Sequence, residues 1–434
     1  YYPHDTHWGP MHWGHSISKD LVTWEYLPCA LAPDEDYDHI GCFSGSAIEL
    51  EDGRMLLMYT SVVRHNEDGK DKDYQQQAIA IGDGVDFEKV TNNPVITTDM
   101  IPAGNNLQDF RDPKVIKHDG KYYSFMINRS ADDSGQIFVY ESDDCLNWKF
   151  NRVLDKSDNQ VGKVWECPDY FTLGDRKVLI VSPQEVEGND MEVYPGYNNF
   201  FLVGHGNEFL DFNRESVQQI DYGMDFYAAQ TVLTPDGRRV MIAWMQNWET
   251  CNYGNDLHDY YGMMTLPREL RMDGGYVIQQ PIREIENYYK DTREYKDIAL
   301  SGSQTMEGLK GRVLDMSLMV RPRNMESDYD FIIKVAKDAN YETSIAFDSK
   351  KGTITLDRSK SGVRYSSLST RVFKVKDCTK ELKLRVIIDK YALEIFINDG
   401  KQAAAMKLDT PIEADGIVLE SMDDVIVDVT AHSF

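Results

Sequence analysis

Two carboxylates of the sequence stand in surroundings that could support acid–base chemistry. The first, Glu166, lies between Trp165 and Cys167 and is followed closely by a proline. Apolar neighbours disfavour the charged form of a carboxyl group and raise its pKa, as a general acid requires. The alternative is a glutamate at a strand end that hydrogen-bonds to the backbone, and the local sequence alone favours that alternative.

The second carboxylate, Asp112, lies between Arg111 and Pro113. An adjacent arginine favours the ionised form, which suits binding of sugar hydroxyls better than proton donation at neutral pH. A structural ion pair is again the commoner explanation when the motif is taken alone. If both carboxylates act on one sugar unit, we expect Glu166 and Asp112 to face one pocket, less than about 10 Å apart.

Aromatic and small residues near the start of the chain could contact a sugar. Trp8 and Trp13 could form a wall for the apolar C–H faces of a sugar ring, and the turn at Phe43 and Ser44 could let a substrate approach a backbone and a hydroxyl. Four histidines also fall here, but Pro10 and two glycines interrupt the run, so no helix would present them together. We expect no metal and no cofactor. The four histidines are His4, His7, His12 and His15.

Composition limits the partners. The 434 residues carry a formal charge of −26, which disfavours nucleic acid and anionic membranes and suits a neutral sugar, although a solvated acidic surface is the simpler reading. No apolar run approaches the ~20 residues of a membrane helix. No signal peptide is visible, and the six cysteines contain no C-x-x-C pair. Reduced thiols favour the cytoplasm. No particular oligomeric state is indicated.

Short apolar runs bounded by Gly, Asp and Asn predict an all-β protein. A tight Asp/Gly turn followed by a buried strand recurs at intervals of roughly 55 to 70 residues, about one propeller blade each. The four copies begin at Asp52-Gly53, Asp119-Gly120, Gly174-Asp175 and Asp236-Gly237.

A second repeat shows where the first repeat lies within a blade. Ser18 to Trp24 matches Ser142 to Trp148, with a weaker relative at Gly82 to Phe87, and this unit should follow a turn-and-strand unit within each blade. We therefore predict a five-bladed β-propeller over residues 1–285 whose first blade is incomplete. After a short helical connector at Pro281 to Tyr289, simpler strands predict a β-sandwich over residues 295–434.

Taken together, the motifs resemble glycoside hydrolase family 32, whose members include invertases, sucrose-6-phosphate hydrolases, inulinases and levanases. The resemblance covers essentially the whole chain, and five motifs in order with consistent spacing are highly specific. These motifs are Trp8-Gly9-Pro10-Met11 continuing to Glu25, Phe43-Ser44-Gly45-Ser46, Arg111-Asp112-Pro113, Glu166-Cys167-Pro168 and Pro267-Arg268-Glu269-Leu270, with Glu394 to Gly400 in the sandwich.

The resemblance implies a retaining β-fructofuranosidase acting on sucrose or sucrose-6-phosphate. It implies that Glu166 is the general acid/base and that Asp112 holds fructose hydroxyls and stabilises the transition state. It also implies a fructose pocket lined by Arg111, Phe43, Ser44, Trp8 and, as a weaker match, Trp248. The family nucleophile, an Asp in a Trp-x-Asn-Asp-Pro-Asn-Gly motif, has no counterpart here. We expect a chain that starts within the first blade and is impaired in turnover.

Alternatives from other classes stay open. An exo-acting fructanase and a fructosyltransferase would use the same groups on another substrate or acceptor. A non-catalytic fructan-binding propeller would keep the aromatic wall without needing Glu166 and Asp112 together. An arabinan-cleaving propeller would not be expected to carry the C-terminal sandwich.

Overall fold

The computed structural model describes residues 1–6, 8–189, 191–253, 260 and 262–434, so His7 of the histidine group lies outside the described residues. The described chain is built from β-strands and short 3-10 helices. It divides into two compact units. The first comprises Tyr1–Glu187, Pro195–Gln218 and Ala228–Gln230, and the second comprises Gly188–Tyr194, Gln219–Tyr227 and Thr231–Phe434.

The first unit contains one two-stranded sheet and three four-stranded sheets, and neighbouring strands follow one another along the chain. The pair is β1 (Trp13–Ile17) and β2 (Glu25–Leu31). The next sheet is β3 (Gly41–Glu49), β4 (Met55–Glu67), β5 (Lys70–Gly82) and β6 (Phe87–Lys89). The third is β7 (Phe110–His118), β8 (Lys121–Arg129), β9 (Gly135–Ser142) and β10 (Lys149–Lys156). The fourth is β11 (Val164–Leu173), β12 (Arg176–Gln184), β13 (Phe200–His205) and β14 (Asn213–Gln219).

The two sequence repeats correspond to two different turns within a sheet. The Asp/Gly repeat joins the first strand to the second, as at Gly120 with φ +77° between β7 and β8. The Ser/Asp repeat joins the third strand to the fourth. Asp144 accepts backbone N–H groups of Leu146 and Asn147 at 2.9 and 2.8 Å, and Asp20 closes the β1–β2 turn in the same way. By its turn, the β1–β2 pair therefore matches the third and fourth strands of a complete sheet.

The second unit contains most of a four-stranded sheet, of which Ala228–Gln230 belong to the first unit, and a ten-stranded sheet. The former is β15 (Tyr227–Leu233), β16 (Arg239–Trp244), β17 (Arg268–Asp273) and β18 (Tyr276–Pro281). A 3-10 helix at Arg283–Tyr288 follows it. The latter contains β19 (Thr292–Gln304), β20 (Val313–Pro322), β21 (Asp330–Lys337), β22 (Glu342–Asp348), β23 (Thr353–Lys360), β24 (Thr370–Lys374), β25 (Leu382–Asp389), β26 (Ala392–Ile397), β27 (Gln402–Lys407) and β28 (Gly416–Ser433).

The long strand β28 organises the ten-stranded sheet. Its first half pairs with β21 and its second half with β20. The strands on the β21 side of β28 and those on its β20 side bury alternate side chains in one shared core. This core includes Phe331, Phe347, Val386 and Ile395. The arrangement is sandwich-like, as the alternating apolar pattern predicts.

The all-β class and the C-terminal sandwich-like sheet agree with the sequence prediction. The number of blades differs from the predicted five. The described residues form four complete four-stranded sheets, and the additional sheet, β1–β2, has only two strands. Among the described residues, no helix has the length and apolar character needed to cross a membrane.

Candidate active site

A cavity of about 320 Å³ opens in the first unit, against the first strands of its sheets. The lining includes aromatic rings, a hydroxyl, an amide and one carboxylate, a mixture suited to a polar ligand with apolar faces. The lining residues are Tyr1, His12, Trp13, Gly14, Ser44, Gly45, Asp112, Cys167, Ala228 and Gln230.

One arginine brings the two predicted carboxylates together. Arg111 Nη2 donates to Glu166 Oε1 at 3.0 Å, and Arg111 Nε lies 3.3 Å from the same oxygen. Arg111 Nε also lies 3.9 Å from Asp112 Oδ2. The nearest oxygens of Glu166 and Asp112 are thus no more than about 7 Å apart, within the separation of about 10 Å that one sugar unit allows. Asp112 lines the cavity directly, and Glu166 immediately precedes the lining residue Cys167.

Burial dominates the electrostatics of Asp112. Loss of water around its carboxyl group raises the pKa to about 6, Arg111 opposes that rise, and the nearby charge of Glu166 adds to it. Arg111 does favour the ionised form, as expected from the sequence, but desolvation outweighs the ion pair and the net shift of the pKa is upward. For Arg111 itself, burial lowers the pKa, but Glu166, Asp112 and Asp109 outweigh it and the pKa is raised.

A kink recurs where three first strands reach the cavity. Asp112 on β7, Cys167 on β11 and Ala228 on β15 adopt left-handed φ values of +60°, +49° and +56°. The strand pairing is interrupted at the first two, between Arg111 and Lys114 and between Glu166 and Asp169. Such a bulge re-aims a side chain and its peptide groups, at a conformational cost that surrounding contacts must offset.

Hydrogen bonds between neighbouring strands hold the kinked segments at Asp112 and Cys167. The backbone N–H of Cys167 donates to Asp112 Oδ2 at 2.9 Å. The backbone N–H of Asp112 donates to Thr60 Oγ1 at 2.9 Å. In β3, a side chain at Gly45 would meet Met58 O at 1.9 Å, so only glycine allows the two strands this close approach.

The predicted aromatic wall is present in part. Trp8 is half exposed and meets the ring of Phe43 edge-on at 5.6 Å. Trp13 lines the cavity and donates its indole N–H to Phe43 O at 3.0 Å. Ser44 also lines the cavity, whereas Trp8 and Phe43 are not among its lining residues.

Trp248, the weakest of the predicted pocket residues, belongs to the second unit. Its ring packs edge-on against Trp244 at 5.1 Å. The other predicted site residues all lie in the first unit.

Several polar residues near the carboxylates escaped the sequence analysis. Asp109 Oδ1 accepts from Arg111 Nη1 at 2.9 Å, and Gln75 Oε1 lies 3.3 Å from the same nitrogen. Gln230 lines the cavity and bonds to Cys167. Of these residues, only Asp109 could have been suspected from the sequence, because it lies two residues before the Arg-Asp-Pro motif. Among the residues with described positions, no group of three or more His, Cys, Asp or Glu is arranged to hold a metal ion.

Comparison with known proteins places this geometry in a family. A model described as the glycosyl hydrolases family 32 N-terminal domain matches residues 1–281, and one described as the family 32 C terminal matches residues 284–432. The sheets, the cavity and the two matches define an all-β glycoside hydrolase. The chain belongs to glycosyl hydrolases family 32.

Individual relatives cover nearly the whole chain. A sucrose-6-phosphate hydrolase of Zymomonas mobilis is 31% identical over 432 residues, covering 96% of this chain and 81% of the relative. A raffinose invertase of Escherichia coli is 31% identical over 417 residues, 94% of this chain and 83% of the relative. A levanase of Bacillus subtilis is 30% identical over 429 residues, 93% of this chain and 61% of the relative.

Solved structures agree in fold. A GH32 β-fructofuranosidase of Bombyx mori superposes with a TM-score of 0.84 at 29% identity, covering 100% of this chain and 87% of that one. A variant of the same enzyme in complex with sucrose gives 0.83 at 29% identity, covering 99% and 86%.

Proposed function

We propose that this protein is a retaining β-fructofuranosidase that cleaves the terminal β-fructofuranosyl bond of sucrose or sucrose-6-phosphate. The observation that carries the proposal is the placement of Glu166 and Asp112 on one arginine beside a cavity, in a chain of family 32. Relatives named as a sucrose-6-phosphate hydrolase and an invertase support this substrate class.

Glu166 is the proposed acid/base. Its side chain is only 15% exposed, and Arg111 holds Oε1, which fixes the carboxyl group in one orientation. In the first step Glu166 donates a proton to the oxygen that departs with the glucosyl group. In the second step it removes a proton from the water that releases fructose.

Asp112 is the proposed ligand for fructose hydroxyls. Its carboxylate faces the cavity and accepts the N–H of Cys167, so its position is set before a sugar binds. Arg111 supplies positive charge beside it. Ser44, Phe43 and Trp8 are proposed to contact the sugar, and Trp248 remains a weaker proposal.

The residue that attacks the anomeric carbon is expected in the family motif Trp-x-Asn-Asp-Pro-Asn-Gly, which does not occur in the 434 residues. Asp112 is a poor substitute, because its carboxylate is committed to the N–H of Cys167 and lies beside Arg111. Residues acting as one catalytic unit are strongly non-additive. We therefore expect residues 1–434 alone to bind fructosides and to hydrolyse them slowly.

A substrate panel tests the proposal. The full-length protein is incubated with sucrose, sucrose-6-phosphate, inulin and levan, and products are separated while proton NMR follows the anomer of fructose first released. We expect fructose with retained configuration and the highest kcat/KM on one of the two sucrose substrates. Release of no fructose from any of the four would overturn the proposal and favour a non-catalytic fructan-binding protein.

An exo-acting fructanase is the second candidate, favoured by the match to the levanase. It is distinguished by a higher kcat/KM on inulin or levan than on sucrose. Transfer of fructose to a second sucrose at high concentration would indicate a fructosyltransferase.

The localisation of the protein and the number of its propeller blades are also proposals. All six cysteines are free thiols, which supports a cytoplasmic protein. The third-to-fourth-strand turn between β1 and β2 supports a five-bladed propeller for the N-terminal sheets.

A further inference from the structure

Pro168 and Cys167 lie where strand pairing fails. The β11–β12 register is interrupted between Glu166 and Asp169, so the carbonyl groups of this stretch fall outside the regular ladder. Buried carbonyl groups normally find other donors. Here the donor is Gln230 Nε2, which lies 2.9 Å from Cys167 O and 3.2 Å from Pro168 O.

The amide of Gln230 is oriented by a charged partner. Lys114 Nζ donates to Gln230 Oε1 at 3.2 Å and pairs with Asp169 Oδ2 at 3.1 Å. Because a lysine can only donate, the oxygen of the amide must face Lys114 and its NH2 group must face the two carbonyls. Lys114 lies two residues after Asp112, and Asp169 lies three residues after Glu166, so the pair links the two strands that carry the carboxylates.

These bonds fix both peptide groups of Cys167. The peptide before it gives its N–H to Asp112 at 2.9 Å, and the peptide after it gives its C=O to Gln230. A left-handed cysteine at φ +49° persists only when its neighbours determine it. Release of either peptide would move the N–H bound to Asp112 and the backbone of Glu166 together.

We propose that Gln230, oriented by Lys114, is a positioning residue that holds the left-handed Cys167 and thereby sets Glu166 and Asp112 for the reaction. The kinetic part of this inference rests on the proposed function, whereas the structural part does not. Gln230 acts through Cys167 and is not assigned a contact with the sugar.

The test uses Gln230→Met in the full-length protein, which keeps the approximate size of the side chain and removes both amide bonds. We expect kcat on sucrose to fall by about 10- to 100-fold with KM changed less than about threefold, because misplacement by 1 Å costs rate more than binding. Hydrogen–deuterium exchange at the Cys167 amide should accelerate by at least about tenfold. Gln230→Glu, which keeps the acceptor for Lys114 but loses the donor, should behave the same and serves if the first variant fails to fold.

The matched control is Gln136→Met. Gln136 is a buried glutamine on β9 whose amide bonds Asn105 and Asn128 at 2.8 and 3.1 Å, and it does not line the cavity. Its loss should leave exchange at Cys167 and kcat unchanged.

Three results would overturn the inference: unchanged exchange at Cys167, an equal effect of Gln136→Met, or a raised KM with kcat unchanged, which would indicate that Gln230 contacts the sugar. If the unmodified protein cleaves no fructoside, the proposed function fails, and the exchange measurement still decides whether Gln230 holds Cys167.

Discussion

Each unit of the molecule contains an arginine between two carboxylates, but only one of these clusters opens onto a cavity. In the second unit, Arg268 lies 2.7 Å from Glu394 and 2.9 Å from Asp221, and none of the three side chains is more than 2% exposed. The rings of Phe226 and Phe396 lie on the guanidinium at 4.8 and 5.4 Å. The guanidinium pairs with both carboxylates, and all three groups are sealed from water.

The cluster around Arg111 in the first unit is paired less completely. Glu166 is held at 3.0 Å, but Asp112 stays 3.9 Å away, beyond hydrogen-bonding distance, and faces the cavity. The same residue types therefore serve different purposes. The closed cluster around Arg268 contributes to the fold. In the cluster around Arg111, the desolvated carboxylate of Asp112 faces the cavity and can still bind a ligand.

The largest expected effect is on the rate, from Glu166→Gln in the full-length protein. Loss of the proton donor should lower kcat on sucrose by about 10²- to 10⁴-fold. A fructoside with an activated leaving group should lose much less in the step that forms the fructosyl-enzyme, because that group departs without a proton. The control is Glu185→Gln, at an exposed glutamate just after β12. Equal losses on the two substrates would contradict the acid role.

The next effect is on stability, from Arg268→Met in the closed cluster. The change leaves Asp221 and Glu394 buried without their partner and should lower the free energy of unfolding by about 3–5 kcal/mol. Arg271→Met on the same strand removes only an exposed pair with Asp273 and should cost about 1 kcal/mol or less. Urea unfolding followed by circular dichroism measures both. Similar costs would show that the closed cluster contributes little.

A smaller effect concerns pH and Asp112. Its pKa rises from the ordinary value of 3.8 to about 6 in the folded protein, so the folded state binds the proton more tightly than the unfolded state. The resulting stabilisation is complete below about pH 4 and is lost as the pH rises through about 6. The unfolding free energy of the unmodified protein, relative to Asp112→Asn, should fall by roughly 1–3 kcal/mol across that window. A difference that rises with pH would show that Arg111 outweighs burial.

The smallest effect is expected from Trp8→Ala. Trp8 is 51% exposed, so stability should change by about 0.5 kcal/mol or less. If its ring contacts the sugar, KM on sucrose should rise by roughly threefold to tenfold, equivalent to about 1 kcal/mol, with kcat nearly unchanged. Trp24→Ala, at another exposed tryptophan, is the control. Equal KM values for both variants would remove Trp8 from the site.

The sequence predicts local features of the fold well. The turns at Asp119-Gly120 and Ser142 to Trp148 depend on residues close in the chain, so their chemistry could be recognised directly. The pairing of β28 with both β20 and β21 could not be predicted, because it depends on contacts between segments that lie far apart in the chain.

The site is predictable in residue type and only partly in geometry. Motifs single out Glu166, Asp112 and Arg111, and the structure brings them together. The left-handed conformation of Cys167 and the hydrogen bond from Gln230 to its carbonyl group cannot be recognised from neighbouring residues, because contacts between distant segments impose them. The direction of the pKa shift of Asp112 also escapes, since burial is not visible in a list of neighbours.

The pairing of β28 also determines when the second unit can be completed during synthesis. Each four-stranded sheet is made of consecutive strands and can form soon after its own residues leave the ribosome. The ten-stranded sheet cannot, because β19 pairs with β28 in a register that joins Thr292 to His432. Until β28 has been translated, β19, β20 and β21 lack their shared neighbour, and closing so long a loop is slow. The nascent chain therefore exposes unpaired strand edges over that interval, when it is most prone to aggregate.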